Sequence, residues 1–271
     1  MNKKVFAIAL AALIGAGSAT FKAWSQQQPA APAARQPVPV KYQKVKDNLW
    51  AICSQSNDCP IIGAGGNIGV RVTNEGVIIV DDKYEPDFGY IYDAVRNITD
   101  QPIKYVINTH NHGDHTGGNV KFGKLAELIA HKNARENMVR GNQPGLPRLV
   151  FTDQTSIYLG GVEVQARYFG RGHTNGDIVI YFPEVKTIHT GDLINETTPF
   201  NVDYANGGSA TEWPKTFDNI AKLDFDTVIP GHGKIMTRAD FENYRQRINT
   251  LYQRMTQLVK QQKIKKEEFK S

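Results

Sequence analysis

The sequence predicts an α/β fold, α+β in its order of elements, with β-sheets sandwiched between outer helices. Three observations carry this. Short β-branched runs of strand length alternate with segments whose apolar residues recur at helical spacing. Residue types that ligate metals sit beside glycine at the ends of several of those strands. The chain has 271 residues, 40% of them hydrophobic and 22% charged, which suffices for one large domain or two small ones and does not suggest disorder. No repeat of fixed period is present.

The elements follow in order. Residues 1–25 have the form of a secretory signal peptide. Lys3 and Lys4 make a basic start, Val5 to Ala19 form a short apolar core, and small residues such as Ala23 and Ser25 stand near a cleavage point. The apolar run is too short for a comfortable membrane span, a retained anchor being the alternative. Residues 26–40, QQQPAAPAARQPVPV, are dominated by Pro and Ala and read as an extended tether. The folded domain is then 41–271. Export implies a periplasmic or secreted protein with no stable membrane span after processing. Lys3, Lys4 and Lys22 account for three of the five net positive charges, so the processed chain carries about +2, which is no nucleic-acid surface. The remaining basic bias, at Lys263, Lys265 and Lys266, reads as a solvated helix end. Cys53 and Cys59 are spaced to close a disulfide in an oxidising compartment; as metal ligands, one close pair alone cannot complete a four-thiolate site.

Leu49–Ile52, Ile68–Thr73 and Val77–Val80 read as strands, the last two joined by a turn at Asn74 to Gly76. Pro86–Ile98 places Phe88, Tyr92, Val95 and Ile98 at helical spacing, and Ile103–Ile107 is the next strand. A helix over 118–125, a strand at Glu127–Ala130 and a helix after His131 continue the alternation. Strands at Ser156–Leu159, Val162–Tyr168, Asp177–Phe182 and Lys186–His189 follow. A helix at Glu212–Leu223, a strand at Thr227–Ile229 and a long helix from Thr237 complete the domain. Thr237 and Asp240 form a helix-start capping pair.

The stretch 108–118, NTHNHGDHTGG, holds three of the chain's seven histidines. It follows a buried strand, so His110-x-His112-x-Asp114-His115 is delivered to a strand end. His110 and His112, two apart in extended backbone, point to the same side and can hold one ion, while Asp114 and His115 face a second. Imidazole and carboxylate without thiolate suit zinc first, and iron or manganese less selectively. A catalytic zinc takes three protein ligands plus water, so further ligands must come from later segments. Gly172-His173-Thr174, Thr190-Gly191-Asp192 and Pro230-Gly231-His232-Gly233 offer them. Any one of these histidines alone reads as a hydrogen-bonded loop residue; four matching loops read as a two-metal site.

These motifs, HNHGDH, GHT, TGD and PGHG in that order, resemble the metallo-β-lactamase fold superfamily over residues from Lys41 to about Thr250. The resemblance implies a four-layer αββα sandwich with two Zn²⁺ at one edge. By position, His110, His112 and His173 would hold the first ion, Asp114, His115 and His232 the second, and Asp192 would bridge them. Asp81, closing the strand VIIVD, matches the family's aspartate that supports the site from behind, a solvated turn aspartate being the alternative. His131 and His189 match no ligand position and read as structural.

The implied reaction is hydrolysis, with a water sharpened to hydroxide by the metals attacking an amide- or ester-type bond of a small molecule, and with Asp114 as the catalytic carboxylate that orients it. No serine or cysteine nucleophile is needed. One departure bears on the substrate. Zinc β-lactamases with a cysteine ligand carry Cys where Asp192 stands, and three residues on a lysine that grips the drug's carboxylate; here that position is Asn195. The bridging aspartate is more similar to thioesterases such as glyoxalase II, to lactonases and to general hydrolases, whereas export points to the compartment where β-lactams are met. A β-lactam or lactone, a thioester or phosphoester, and a non-catalytic binding or relay role are the readings left open. Residues 200–213, FNVDYANGGSATEW, resemble exported accessory hydrolases, and there is no room between Asp192 and His232 for the extra domain of the superfamily's nucleases. Residues 53–67 and 195–210 are candidate substrate-selecting loops or plain connections.

Overall fold

The computed structural model describes residues 35–54, 65–198 and 200–261. The expected signal segment, most of the expected tether, Cys59 and the basic tail lie outside them. Among the described residues no helix is long and apolar enough to cross a membrane.

Two sheets face one another. The first has strands β1 (Val40–Lys46), β2 (Leu49–Ser54), β3 (Ile68–Val72), β4 (Val77–Val80), β5 (Ile103–Asn108), β6 (Glu127–His131) and β7 (Leu149–Phe151) in that spatial order. Its first four strands pair antiparallel, and β4 to β7 pair parallel. The second holds β8 (Gln154–Leu159), β9 (Val162–Tyr168), β10 (Ile178–Phe182), β11 (Thr187–His189), β12 (Thr227–Ile229) and β13 (Met236–Thr237), antiparallel except where β11 meets β12. The helices are α1 (Phe88–Ile98), the single turns α2 (Gly113–Thr116) and α3 (Asn119–Phe122), α4 (Lys132–Arg140), α5 (Trp213–Ile220) and α6 (Arg238–Lys260).

The alternation of side chains along a strand explains the layering. In β4, Ile78 and Val80 point between the sheets and join Leu49, Ile107, Val164, Ile178 and Ile180. Val77 and Ile79 point the other way, where Ile91 and Val95 of α1 cover them. Both faces are therefore buried, as a continuous VIIV run requires, and each such side chain contributes roughly 1.5–3 kcal/mol of burial. In β10, Ile178, Ile180 and Phe182 face the inter-sheet core while Val179 meets Trp213 and Phe217 of α5 and Phe241, Tyr244 and Ile248 of α6. The layers are helix, sheet, sheet, helix, as the sequence predicts. The capping box also forms: Thr237 Oγ1 accepts from Asp240 N–H, and Asp240 Oδ2 accepts from Thr237 N–H.

Differences from the sequence expectation sit at the edges. β1, β7 and β13 are strands that apolar periodicity did not mark. β1 begins at Val40, the last residue of the expected tether, and Val38 N–H already donates to Asp87 Oδ1 at 2.8 Å. The helix expected over 118–125 is only a single turn, α3, and a further turn, α2, precedes it across Gly117 and Gly118. Gly118 N–H is taken by Asp82 Oδ1, so the chain there is held to the loop after β4 and cannot extend as a helix.

Candidate metal centre

The site is built where the parallel strands end. β4 delivers Asp81, β5 delivers His110 to His115, the turn after β9 delivers His173, β11 delivers Asp192 and β12 delivers His232. All seven expected ligands converge. His110, His112 and His173 form one group, His110, His115 and Asp192 a second, and Asp114, His115 and His232 a third, each with its ligand atoms within 4.8 Å of one another.

What makes these groups more than neighbours is the direction of their lone pairs. His112 Nε2 bonds Asp203 Oδ2 at 2.7 Å, and a carboxylate can only accept, so the proton is on Nε2 and Nδ1 is a bare lone pair. His173 Nδ1 donates to the Asn201 carbonyl at 2.6 Å, which leaves Nε2 bare. Thr109 Oγ1 donates to Asp81 Oδ2 and so accepts from His110 Nδ1, leaving His110 Nε2 bare. These three bare nitrogens aim at one point: His112 Nδ1 lies 3.2 Å from His110 Nε2 and 2.8 Å from His173 Nε2. Two ligands of a tetrahedral zinc, each roughly 2.05 Å from the ion, lie about 3.3 Å apart. The 3.2 Å separation matches that of a zinc-sized cation and the 2.8 Å one is shorter, and lone pairs so placed repel without a cation between them.

The second group repeats the logic with carboxylates. His115 Nδ1 bonds Asp81 Oδ2 at 2.7 Å, turning Nε2 toward His232 Nε2 at 3.3 Å. Asp192 Oδ1 lies 3.2 Å from His115 Nε2 and 3.3 Å from His232 Nε2, yet it is a buried atom with no hydrogen-bond partner. A buried acceptor left open among imidazole nitrogens suits a cation between them. Asp114 Oδ2 stands 3.2 Å from His232 Nε2 and 3.7 Å from His115 Nε2.

The electrostatics divide the site. Burial, then the neighbouring His115, His112 and His173, push His110 well below the ordinary histidine value, so it is neutral and ready to ligate. Burial pulls His115 down as well, but the carboxylates of Asp114, Asp192 and Asp81 outweigh it and raise it well above that value. Burial would raise Asp192 and Asp114; the imidazoles of His115 and His232 win, holding Asp192 well below the usual carboxylate range and Asp114 at about 2. Both carboxylates are ionised at neutral pH.

Asp81 is no solvated turn residue. It is fully buried in the left-handed region at φ 62, with Thr109 N–H on Oδ1 and both Thr109 Oγ1 and His115 on Oδ2. Beside it, Lys83, also fully buried, donates from Nζ to the carbonyls of Gly65 and Gly66. Gly66 packs so tightly that a Cβ there would lie 2.1 Å from His115 Cε1. The root of the 53–67 loop is thus clamped against the site. His131 and His189 stay out of the ligand groups: His131 stacks on Tyr168 and bonds the Thr152 carbonyl, and His189 donates to the Asn67 carbonyl.

Sequence reasoning missed the braces. Asp203 orients His112 and is itself held by Asn206; its only signal was its place in the FNVDYANGG segment. Asp177, pushed up to about 6 by burial, accepts from Thr174 and fixes the turn that carries His173. Asn195 is buried, donates from Nδ2 to Asp192 Oδ2 at 3.1 Å, and accepts on Oδ1 from the backbone N–H of Thr197 and Thr198. Asn195 also bridges to His232, which locks the Asp192 and His232 loops together.

The comparisons agree with this architecture. A metallo-beta-lactamase type 2 of Elizabethkingia meningoseptica is 27% identical over 197 residues, 71% of this chain and 78% of that protein. The 2,4-dinitroanisole O-demethylase subunit alpha of Nocardioides sp. (strain JS1661) is 28% identical over 175 residues, 62% of this chain and 52% of that one, so the match spans about half its length. The solved structure of a metallo-beta-lactamase from Pontibacter korlensis shares the fold, with a TM-score of 0.66 at 19% identity over 78% of this chain and 99% of that chain. DIM-1 metallo-beta-lactamase does so with the same TM-score at 20% identity, over 79% and 98%. The family profile described as the metallo-beta-lactamase superfamily matches residues 62–232, a span that holds every ligand-type residue named above, and the chain belongs to that superfamily.

Proposed function

We propose that this member of the superfamily is an exported hydrolase that holds two Zn²⁺ and cleaves an amide- or ester-type bond of a small molecule, a lactone or a β-lactam being the leading substrates. The observation that carries the reading is the convergence of three bare imidazole lone pairs on one point, beside a second group in which His115, His232 and Asp114 gather around the unpartnered Asp192 Oδ1. His110, His112 and His173 would hold one ion, Asp114, His115 and His232 the other, with Asp192 shared. A cation pair bound there would supply Lewis acidity and bring the pKa of water down toward neutrality.

The chain's own residues supply the rest. Asp114 is the more exposed of the two inner carboxylates, with a quarter of its side chain open to solvent, and it is ionised. Its Oδ2 is the group available to orient an attacking water and accept its proton. Asp192 is enclosed and held by Asn195, which suits a fixed bridging role. Lys83 and Asp81 hold the backbone and imidazole of one half in place, and Asp203 the other.

Asn195 bears on the substrate. Its amide is buried and turned inward onto Asp192 and its oxygen caps residues 197 and 198, so it presents no cation to a substrate carboxylate as a lysine there would. This favours a lactone or other ester over a β-lactam. The relative named as an O-demethylase adds aryl methyl ethers to the substrates worth testing. Export rests on the pattern of residues 1–25, and the Cys53–Cys59 disulfide on their spacing.

The test is metal analysis of the purified protein followed by assay on nitrocefin, a lactone series, a thioester, a phosphodiester and an aryl methyl ether. About two zinc per chain and turnover of at least one substrate are expected, with both lost in Asp192→Ala. Full metal content without turnover of any substrate would instead support a binding or relay protein. Fewer than about one ion per chain after loading would overturn the metal reading itself.

A further inference from the structure

We propose that Asn137, on a helix that carries no ligand, is a positioning residue for the three-histidine half of the site, acting as a hub that ties together the loops holding His110, His112 and His173. The inference rests on the metal reading for its purpose but on hydrogen bonds for its content.

Helix α4 begins at the end of β6, where His131 Nδ1 caps it by accepting from Asn133 N–H. Its first turn leans on the His173 turn. Gly176 lies so close that a Cβ there would meet Ala134 N at 2.5 Å, and Asn133 Nδ2 donates to the Asn175 carbonyl at 2.8 Å. One turn further on, Asn137 is buried and its amide nitrogen faces three acceptors: Asn111 Oδ1 and Asn175 Oδ1, each at 2.9 Å, and the Asn206 carbonyl at 3.3 Å. Two N–H groups serve three acceptors, so one is shared. The orientation of the amide is not arbitrary, because its oxygen accepts from Arg140, which can only donate.

Two of the acceptors belong to ligand-bearing loops and the third to the segment that carries Asp203. Asn111 stands between His110 and His112, and its carbonyl is held as well by Gln143 Nε2. Asn175 follows His173 by two residues. Asn206 donates to Asp203, which in turn accepts from His112 Nε2. A single carboxamide therefore reaches two ligand loops directly and the outer partner of His112 through one intermediate. Outer partners of ligating imidazoles set their orientation, and losing one typically costs about 10- to 100-fold in metal affinity.

The experiment compares wild type with Asn137→Ala and with Asn137→Asp, which keeps the shape but removes both donors, and with Asn175→Ala, which removes one acceptor. In metal-free protein, nitrogen NMR of the imidazoles should show His112 protonated at Nε2 and His173 at Nδ1 in wild type. In both Asn137 variants these two signals should be lost or averaged, while the Nδ1–H of His115 and the Nε2–H of His189, whose partners do not involve α4, persist. Cobalt titration should show the affinity of the three-histidine group reduced about 10- to 100-fold in the Asn137 variants. Asn175→Ala should disturb His173 alone. Unchanged His112 and His173 signals in the Asn137 variants would overturn the proposal. So would loss of all four signals together in every variant, which would make Asn137 a general core residue. If wild type binds no cobalt, the metal reading falls, and the imidazole signals still decide the role of Asn137.

Discussion

The two halves of the candidate metal centre are braced by different parts of the molecule. His115 rests on Asp81, a pair in which both side chains are 0% exposed, at the end of a strand buried on both faces. His112 rests on Asp203, with side chains 28% and 21% exposed, on a segment that lies outside both sheets. One brace is part of the core, and the other is part of a loop. The same chemical device, a carboxylate behind an imidazole, can thus be anchored in folding stability or kept nearly independent of it.

The sharpest test of that contrast is Asp81→Ala. It strands the Thr109 N–H, the Thr109 hydroxyl and the His115 imidazole in a dry interior, so the metal-free protein should lose about 3–5 kcal/mol in urea unfolding. A loss below about 1 kcal/mol would erase the distinction between the halves.

A second measurement probes the core side by pH. His189 is held down at about 4 by burial, against 6.5 when free. The folded state therefore binds fewer protons in that interval. His189 contributes its full stability above pH 6.5, and this is lost as the pH falls toward 4. Asp177, raised to about 6 by burial, slopes the opposite way over the overlapping range, so the difference between wild type and His189→Gln is the diagnostic quantity. The metal-free wild type should lose roughly 2–4 kcal/mol more than the variant between pH 7 and 4. Parallel curves would show that His189 is not held neutral by the fold.

The smallest effect on stability is expected at the loop brace. Asp203→Ala should change unfolding free energy by only about 1 kcal/mol while weakening cation binding to the three-histidine group about 10- to 100-fold by competitive titration. A stability loss as large as that of Asp81→Ala would place Asp203 in the core after all.

Much of this was legible in the sequence because the relevant signals are local. The VIIV run of β4 and the alternation in β9 and β10 follow from burial on one or two faces, and HNHGDH, GHT, TGD and PGHG place ligand types at strand ends. What was not legible depends on partners distant in the chain. β1, with Lys41, Lys44 and Lys46 exposed or half-exposed along it, and the three-residue β7 are strands because a neighbour pairs with them, and no apolar pattern announces that. The same holds for polar braces. Asp203, Asn137 and Asn195 are ordinary loop or helix residues by composition, and only the meeting of several segments gives their carboxylate and amide groups a task. Asp81 was legible through the family resemblance, with a solvated turn as the alternative, and its burial at the end of β4, where a charged side chain needs a partner, decides between them.

β5 belongs to the first sheet, whereas β9, β11 and β12 belong to the second, so the ring of imidazoles and carboxylates straddles the seam of the sandwich. A cation seated in that ring would work as a rivet, because prising the two halves apart at this end would require emptying it first. The melting temperature should accordingly climb with free cation concentration, which makes a chelator a lever on the tertiary structure of both sheets at once.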